Sequence, residues 1–256
     1  MSAFSERNNL SSAEAPITIR HDAPIALRQA IWAFAQQVYV NPLSLAEIIN
    51  REIPNPNFNP RLPVVLLAEQ AFHLCDWFKV YDIAERIYGY LAQSNARADA
   101  SIFESHLNSF FRSQGIGWQM VDGEIEVRGE ESIEQVIHGA ITTLGNTTAG
   151  NELHEAIRDL SRRPEPDITG AMQHSGAAIE CLARDLANST DTLGSIIANH
   201  PTLFPPPLDD ACKKIWGYVS EQGRHLREGR VPSFNEAMLV VGLIAALSTY
   251  LTNENP

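Results

Sequence analysis

The stretch GIGWQMVDGEIEVR, residues 115–128, is where the pattern of apolar residues changes, and it divides the chain in two. On both sides of it, apolar side chains recur at the three- and four-residue spacing of amphipathic helices. Inside it they alternate, and Asp122-Gly123 separates two alternating runs, which predicts a β-hairpin with a two-residue turn. That turn places Gln119 and Glu126 on one face. The other face is apolar and consists of Trp118, Met120, Ile125 and Val127.

The helical spacing on either side predicts a mainly α protein of two helical domains. The first covers residues 1–128 and ends with the small hairpin, at about 116–128. The second, residues 129–256, is a helical bundle whose last helix begins at a Ser233/Glu236 capping box. Two polar or proline-rich stretches, INREIPNPNFNPRLP (49–63) and GRHLREGRVP (223–232), are typical of loops.

Composition restricts the classes of function. A formal net charge of -12 argues against broad electrostatic binding to nucleic acid or to anionic membranes. Cys75, Cys181 and Cys212 are too few and too far apart for a disulfide framework, which favours a reducing compartment. The polar start lacks the apolar core of a signal peptide, and the apolar run 237–252 is too short for a good membrane span. We therefore expect a cytoplasmic protein without a membrane partner.

Several kinds of site are absent from the sequence. There is no glycine-rich phosphate loop, no nucleophile elbow and no paired His/Cys spacing for a metal. We therefore expect neither a cofactor nor a metal ion.

One segment differs from this background. In GRHLREGR, residues 223–230, three arginines and one histidine occur in a predicted loop of an acidic protein. Arginine binds phosphate bidentately, and histidine can transfer a proton near neutral pH. Together they suit metal-free cleavage of RNA, in which a base takes the ribose 2′-hydroxyl proton. The alternative is a solvated loop whose arginines pair with Glu221 and Glu228.

A second polar group lies on the long helix predicted for residues 167–187. His174, Glu180 and Arg184 would occupy roughly one side of that helix, beside its apolar stripe. Glu180 and Arg184 are four residues apart and could simply support each other locally. Alternatively, the group faces the Arg224/His225 segment.

The first half of the sequence resembles a known family. FSERNNL (4–10), LRQAIWAF (27–34) and SFFRSQGIGWQMVDGEIEVR (109–128) are similar to the N-terminal domain of AbiJ-type abortive-infection proteins of bacteria. The resemblance implies a role in defence against phage.

The second half resembles HEPN-like helical domains of the abortive-infection type. The similar segments are HSGAAIECLARDL (174–186), TLGSII (192–197), IWGYVSEQGRHLREGR (215–230) and EAMLVVGLIAALSTYL (236–251). The resemblance implies a bundle that dimerises, with its polar site in a cleft between protomers. It also implies metal-independent ribonuclease activity, whose signature is an arginine, a polar residue, a short spacer and a histidine on one helix.

The sequence departs from that signature. Arg224 and His225 are adjacent, and no other arginine lies four to six residues before a histidine. Neighbouring residues cannot share one helical face. Three explanations stay open: the loop re-aims the two side chains, the active pair is shared across a dimer, or the domain keeps only binding or assembly.

The resulting hypothesis is an abortive-infection protein that acts on RNA, with Arg224 as phosphate clamp, His225 as proton-transfer group and Glu180 as orienting residue. RNA would also be bound by four further basic residues: Arg227, Arg230, Lys213 and Arg184. The expected partners are RNA, a second copy bound through the C-terminal bundle, and a separate defence protein. The alternative is a non-catalytic HEPN-like module for dimerisation or sensing. A DNA-binding regulator is least favoured, because the sequence has no extended basic face.

Overall fold

The structure, a computed structural model, describes residues 14–54, 62–93, 97–224 and 232–254, with the backbone alone for residues 221–224. Those residues form eleven α-helices and one two-stranded antiparallel hairpin. The prediction of a mainly α protein with a single small hairpin is confirmed. The chain forms two compact units, Met1–Arg128 and Gly129–Pro256.

The N-terminal unit consists of five helices followed by the hairpin. In chain order these are α1 (Ile25–Gln37), α2 (Pro42–Glu52), α3 (Val64–Leu74), α4 (Trp77–Gln93), α5 (Arg97–Ser113), β1 (Trp118–Val121) and β2 (Glu124–Val127). Helix α1 begins directly after Pro24, whose fixed φ suits the start of a helix. The core is formed by fully buried large side chains, among them Leu27, Ile31, Phe72, Tyr81, Phe103 and Phe111.

The hairpin has the predicted register, with Trp118 opposite Val127 and Met120 opposite Ile125. Asp122 and Gly123 both have positive φ, at 50° and 88°. A tight turn of this kind requires such a backbone conformation at both of its central residues. All four residues of the apolar face are buried.

Burial of the hairpin extends to its polar face. Gln119 and Glu126 are only 7% and 5% exposed. At the outer edge of β1, Asn108 of α5 donates to the carbonyl of Met120 (2.8 Å) and accepts from its N–H (2.7 Å). The Asn108 side chain thus makes the hydrogen bonds that a third strand would make to Met120 at the edge of the sheet.

The C-terminal unit contains six helices: α6 (Glu131–Leu144), α7 (Thr148–Leu160), α8 (Ile168–Ala187), α9 (Leu193–Asn199), α10 (Leu208–Arg224) and α11 (Phe234–Glu254). Helix α8 is central and packs against α7, α9, α10 and α11. The carboxylate of Asp167 accepts from Gly170 N, 2.8 Å away, and so caps the first turn of α8. The capping box of α11 is confirmed, since Ser233 N donates to Glu236 Oε2 (2.8 Å) and Glu236 N donates to Ser233 Oγ (3.3 Å).

Helix α10 is longer than the sequence predicted. The polar stretch from residue 223 was expected to be a loop, but α10 continues through Gly223 and Arg224. Arg224 is therefore the last residue of a helix. The remainder of that predicted loop, residues 225–231, lies outside the described residues.

Helix α11 is long and apolar enough, by length and composition, to cross a membrane, so the prediction that this segment is too short was wrong on length. It has 21 residues, and 44% of its most apolar window is buried inside the unit. It packs against α6, α7 and α8. Buried core helices of soluble proteins have the same length and composition.

Candidate functional site

The structure describes the side chains of three of the seven predicted site residues. Glu180 and Arg184 lie on α8, and Lys213 lies on α10. Arg224 is placed by its backbone alone. The other three, His225, Arg227 and Arg230, fall outside the described part of the chain.

Glu180 and Arg184 bind each other. The Arg184 Nη2 atom lies 2.6 Å from Glu180 Oε1, one helical turn away. The Nε–H of Arg184 donates to the backbone carbonyl of Asp191, 2.9 Å away, beyond the end of α8. The guanidinium is thus engaged by its own helix and by the turn that follows it, as the local interpretation predicted.

Lys213 is held by two aspartates at the start of its own helix. Its Nζ lies 2.8 Å from Asp209 Oδ2 and 3.5 Å from Asp210 Oδ1. The hydrogen bond with Lys213 lowers the pKa of Asp209, and the same bond raises the pKa of Lys213. Lys213 stays protonated, and the two neighbouring carboxylates offset its positive charge.

The structure does not bring His174 together with the Glu180–Arg184 pair. The Nδ1 atom of His174 lies 2.7 Å from Glu152 Oε2, on helix α7. At about 100° per residue, a separation of six or ten residues turns a side chain roughly 80–120° around the helix. His174 therefore faces α7, and the predicted grouping on one side of the helix was wrong.

His174 belongs instead to an α7–α8 polar cluster, which comprises Glu152, Asp159, Arg162, Asp167 and His174. Asp159 is its buried centre, with a side chain 2% exposed. Arg162 Nη2 lies 2.9 Å from Asp159 Oδ1, Arg162 Nη1 lies 3.1 Å from Asp167 Oδ2, and His174 Nε2 lies 3.6 Å from Asp159 Oδ2. Burial raises the pKa of the Asp159 carboxyl, although the charges of Arg162 and His174 act in the opposite direction.

Sequence reasoning missed three members of this cluster: Glu152, Asp159 and Arg162. One signal was available, because Glu152 and Asp159 are seven residues apart and so lie on one stripe of α7. Their partner on α8 could not be chosen without the packing of the two helices.

The cluster is better suited to joining helices than to binding RNA. A histidine held at Nδ1 by a carboxylate can transfer protons near neutral pH. However, the three carboxylates of Glu152, Asp159 and Asp167 outnumber the single guanidinium of Arg162. That balance disfavours a phosphate group at this position.

The packing of α10 on α8 determines where the backbone of Arg224 lies along the axis of α8. Val219 packs on Gly176, where an added Cβ would lie 2.9 Å from Val219 Cγ1. Three residues after Gly176 on α8, Ile179 lines the same small apolar cavity as Cys212, which precedes Val219 on α10. The two helices therefore run antiparallel, and Arg224 lies toward the N-terminal end of α8. From the rise of about 1.5 Å per residue, it is roughly 15 Å along the helix axis from the level of Glu180.

No group of three or more His, Cys, Asp or Glu side chains is placed to hold a metal ion within the described ranges.

Comparison with known families identifies the first half of the chain. The model of AbiJ N-terminal domain 4 matches residues 2–143, which is more than half of the sequence. The chain belongs to the AbiJ N-terminal domain 4 family. It is therefore an AbiJ-type protein, and this family implies a role in abortive infection, the defence of bacteria against phage. No significant match was found among curated proteins or among solved structures.

The AbiJ match includes the hairpin and nearly all of α6 and ends at residue 143. It does not include the polar cluster or the Arg224–Arg230 segment. The HEPN-like character of the second half of this AbiJ-type chain stays a prediction from sequence resemblance.

Proposed function

We propose that this AbiJ-type protein acts in abortive infection as a metal-independent endoribonuclease of the bacterial cytoplasm. The observation that carries the proposal is the local reversal of charge. In a chain of net charge -12, the segment 223–230 contains three arginines and a histidine with one glutamate. A defence role and a basic, histidine-containing segment together suit cleavage of RNA without a metal or cofactor.

The chemical roles follow from the side chains. Arg224 binds the scissile phosphate through its guanidinium fork and stabilises the charge that develops on it. His225 takes the proton from the ribose 2′-hydroxyl and returns a proton to the leaving oxygen. Arg227 and Arg230 add positive charge that attracts the RNA backbone.

The three site residues whose side chains are described, Glu180, Arg184 and Lys213, contribute less to the proposed RNA site. Arg184 and Lys213 are already paired with carboxylates, so binding RNA would require them to exchange partners. Glu180 lies at the level of Lys213 rather than at the end of α10. An orienting role for Glu180 therefore requires residues 225–231 to return along α8.

The test uses the whole protein with total RNA and with transfer RNA in EDTA. We expect wild type to cleave RNA and the Arg224→Ala/His225→Ala variant not to cleave it. The matched control is Arg158→Ala/His138→Ala, which removes the same two side-chain types elsewhere in the C-terminal unit and should cleave normally. Full activity of the Arg224→Ala/His225→Ala variant would overturn the assignment of the site.

The second candidate function is a non-catalytic module that assembles with a second copy or with a separate defence protein. It is favoured by apolar side chains left exposed on the C-terminal unit. Leu239 and Leu243 lie one turn apart on α11 and are 56% and 38% exposed, and Val136 on the adjoining α6 is 38% exposed. Burial of such a stripe between two copies would make a homodimer through the C-terminal unit.

This candidate predicts that a Leu239→Asp/Leu243→Asp variant is folded but monomeric in light scattering, and that it no longer protects cells from phage. The RNA-cleavage variant would protect normally. If wild type is itself monomeric and neither variant affects protection, the assembly function is wrong.

A further inference from the structure

The N-terminal unit contains a groove between α2 and α4 that none of the functions above uses. Its volume is about 350 Å³. It is lined by one apolar residue, Ile48, and by seven others: Arg51, Glu52, Glu85, Arg86, Gly89, Tyr90 and Gln93. Pockets for small ligands begin at about 300 Å³, so the groove can hold one compact molecule.

Two arginines give the groove hydrogen-bond donors that no described residue uses. Arg86 is 67% exposed and binds Glu52 through Nε alone, at 2.7 Å. Its two Nη groups have no partner among the described residues. Arg51 is exposed on the opposite wall and likewise has no ion pair within the described part of the chain. Guanidinium groups with free Nη donors suit the oxygens of a phosphate.

The carboxylates of the groove, in contrast, are already occupied. Glu52 accepts from Arg86 and lies 3.8 Å from Lys79 Nζ. Glu85 accepts a hydrogen bond of 2.7 Å from the backbone N–H of Ile125 in β2. The free hydrogen-bonding capacity of the walls is therefore mostly that of donors, which favours an anionic ligand over a cationic one.

The groove is also lined by the aromatic ring of Tyr90 and by Gly89, which has no side chain. Tyr90 is 40% exposed, and its hydroxyl donates to Ser44 Oγ at 3.3 Å, which holds the ring across the groove. Gly89 lies inside α4, four residues before its end, and glycine within a helix is destabilising. A Cβ added to it would meet no atom within 4 Å, so packing gives no reason for a glycine at this position. Its missing side chain leaves the floor open beside the ring of Tyr90.

We propose that this groove binds a nucleoside monophosphate. The phosphate is bound by Arg51 and by the Nη groups of Arg86, and the base lies on the ring of Tyr90 above Gly89. The amide of Gln93, which also lines the groove, contacts the polar edge of the base. This gives the N-terminal unit a ligand site that does not depend on whether the C-terminal unit cleaves RNA.

The experiment is isothermal titration of the full chain with the four common ribonucleoside monophosphates, with inorganic phosphate and with the corresponding nucleosides. We expect at least one monophosphate to bind, and phosphate or nucleoside alone to bind at least tenfold more weakly. Arg51→Ala should weaken binding at least tenfold. Gly89→Leu, which fills the floor, should abolish it.

A stability measurement and a control variant separate loss of the ligand from loss of the fold. Gly89→Leu should unfold at or above the wild-type temperature, because a Cβ at this position meets no atom within 4 Å and glycine destabilises a helix. Arg97→Ala removes an exposed arginine of the same unit that does not line the groove, and it should bind as wild type does. The proposal is overturned if no monophosphate binds at millimolar concentration, if Gly89→Leu binds as wild type does, or if inorganic phosphate binds as tightly as the nucleotides.

Discussion

The imidazole of His174 and the carboxylate of Glu152 form a 2.7 Å contact that joins the central helix α8 to its neighbour α7. Both side chains are partly exposed, at 38% and 29%. The contact links residues that are 22 positions apart in the chain, so it stabilises the packing of two helices rather than either helix alone.

We expect His174→Ala and Glu152→Ala each to destabilise the protein. A partly buried hydrogen bond between these side chains should contribute about 1 kcal/mol to the free energy of unfolding. Urea unfolding of the two single variants and the double variant measures their coupling. If the two effects simply add, the contact does not stabilise the packing.

Asp159 should make the stability depend on pH in the acid range. Burial raises its pKa, so the folded protein binds this proton more tightly than the unfolded chain does. Its contribution is fully present below the ordinary aspartate value, about 4, and is lost as the pH rises through the raised pKa. Asp159→Asn should flatten the unfolding free energy across that window. Asp185→Asn, at an exposed position on the same helix as His174, should follow wild type; equal curves for all three proteins would contradict the prediction.

Gly170 should resist substitution because of the same carboxylate. A Cβ at this position would collide with Asp159 Oδ2 and would lie 2.9 Å from Asp167 Cγ. We expect Gly170→Ala to lower the free energy of unfolding by about 1–3 kcal/mol. Gly139→Ala on α6, where a Cβ meets nothing within 4 Å, should instead raise it by about 0.5–1 kcal/mol. Thermal unfolding of both variants gives the comparison, and a neutral Gly170→Ala would show that the helices adjust freely.

Arg28 should be a highly sensitive buried polar residue of the N-terminal unit. It is 7% exposed and donates to the carbonyls of Ala23 (2.9 Å), Phe72 (2.5 Å) and Cys75 (2.9 Å). Arg28→Met would leave buried acceptors without donors, at about 1–3 kcal/mol each. We expect a loss of about 3 kcal/mol or more in chemical unfolding, while the exposed Arg97→Met should change stability by less than about 0.5 kcal/mol. A small effect of Arg28→Met would mean that water reaches these carbonyls.

The features of the fold that depend on interactions between residues close in the chain were predictable from the sequence. The hairpin register was predictable because Asp122-Gly123 is a local turn signal and the alternation of its flanks is also local. The starts of α1, α8 and α11 were predictable from Pro24, Asp167 and the Ser233/Glu236 box for the same reason. The end of α10 was predicted too early, because Gly223 and the charges beyond it are also typical of a loop.

The candidate site was less predictable, because side-chain partners depend on packing between helices. The Glu180–Arg184 pair lies within one helix and followed from spacing. The partners of His174, Glu152 and Asp159, both lie on α7, so no spacing within α8 could identify them. Gln119 and Glu126 alternate as a solvent-facing pair should, yet both are buried.

By itself the sequence determined the class of fold, the hairpin, the helix starts and, through its resemblance, the AbiJ-type family. These depend on periodicity and on caps, which act within a few residues of the chain. Only the tertiary structure decided that His174 contacts Glu152, that Gln119 and Glu126 are buried, and that a groove opens between α2 and α4 beside Gly89. Most of these require groups far apart in the chain to meet, and it is the burial of apolar faces, a non-directional force, that selects which helices come together.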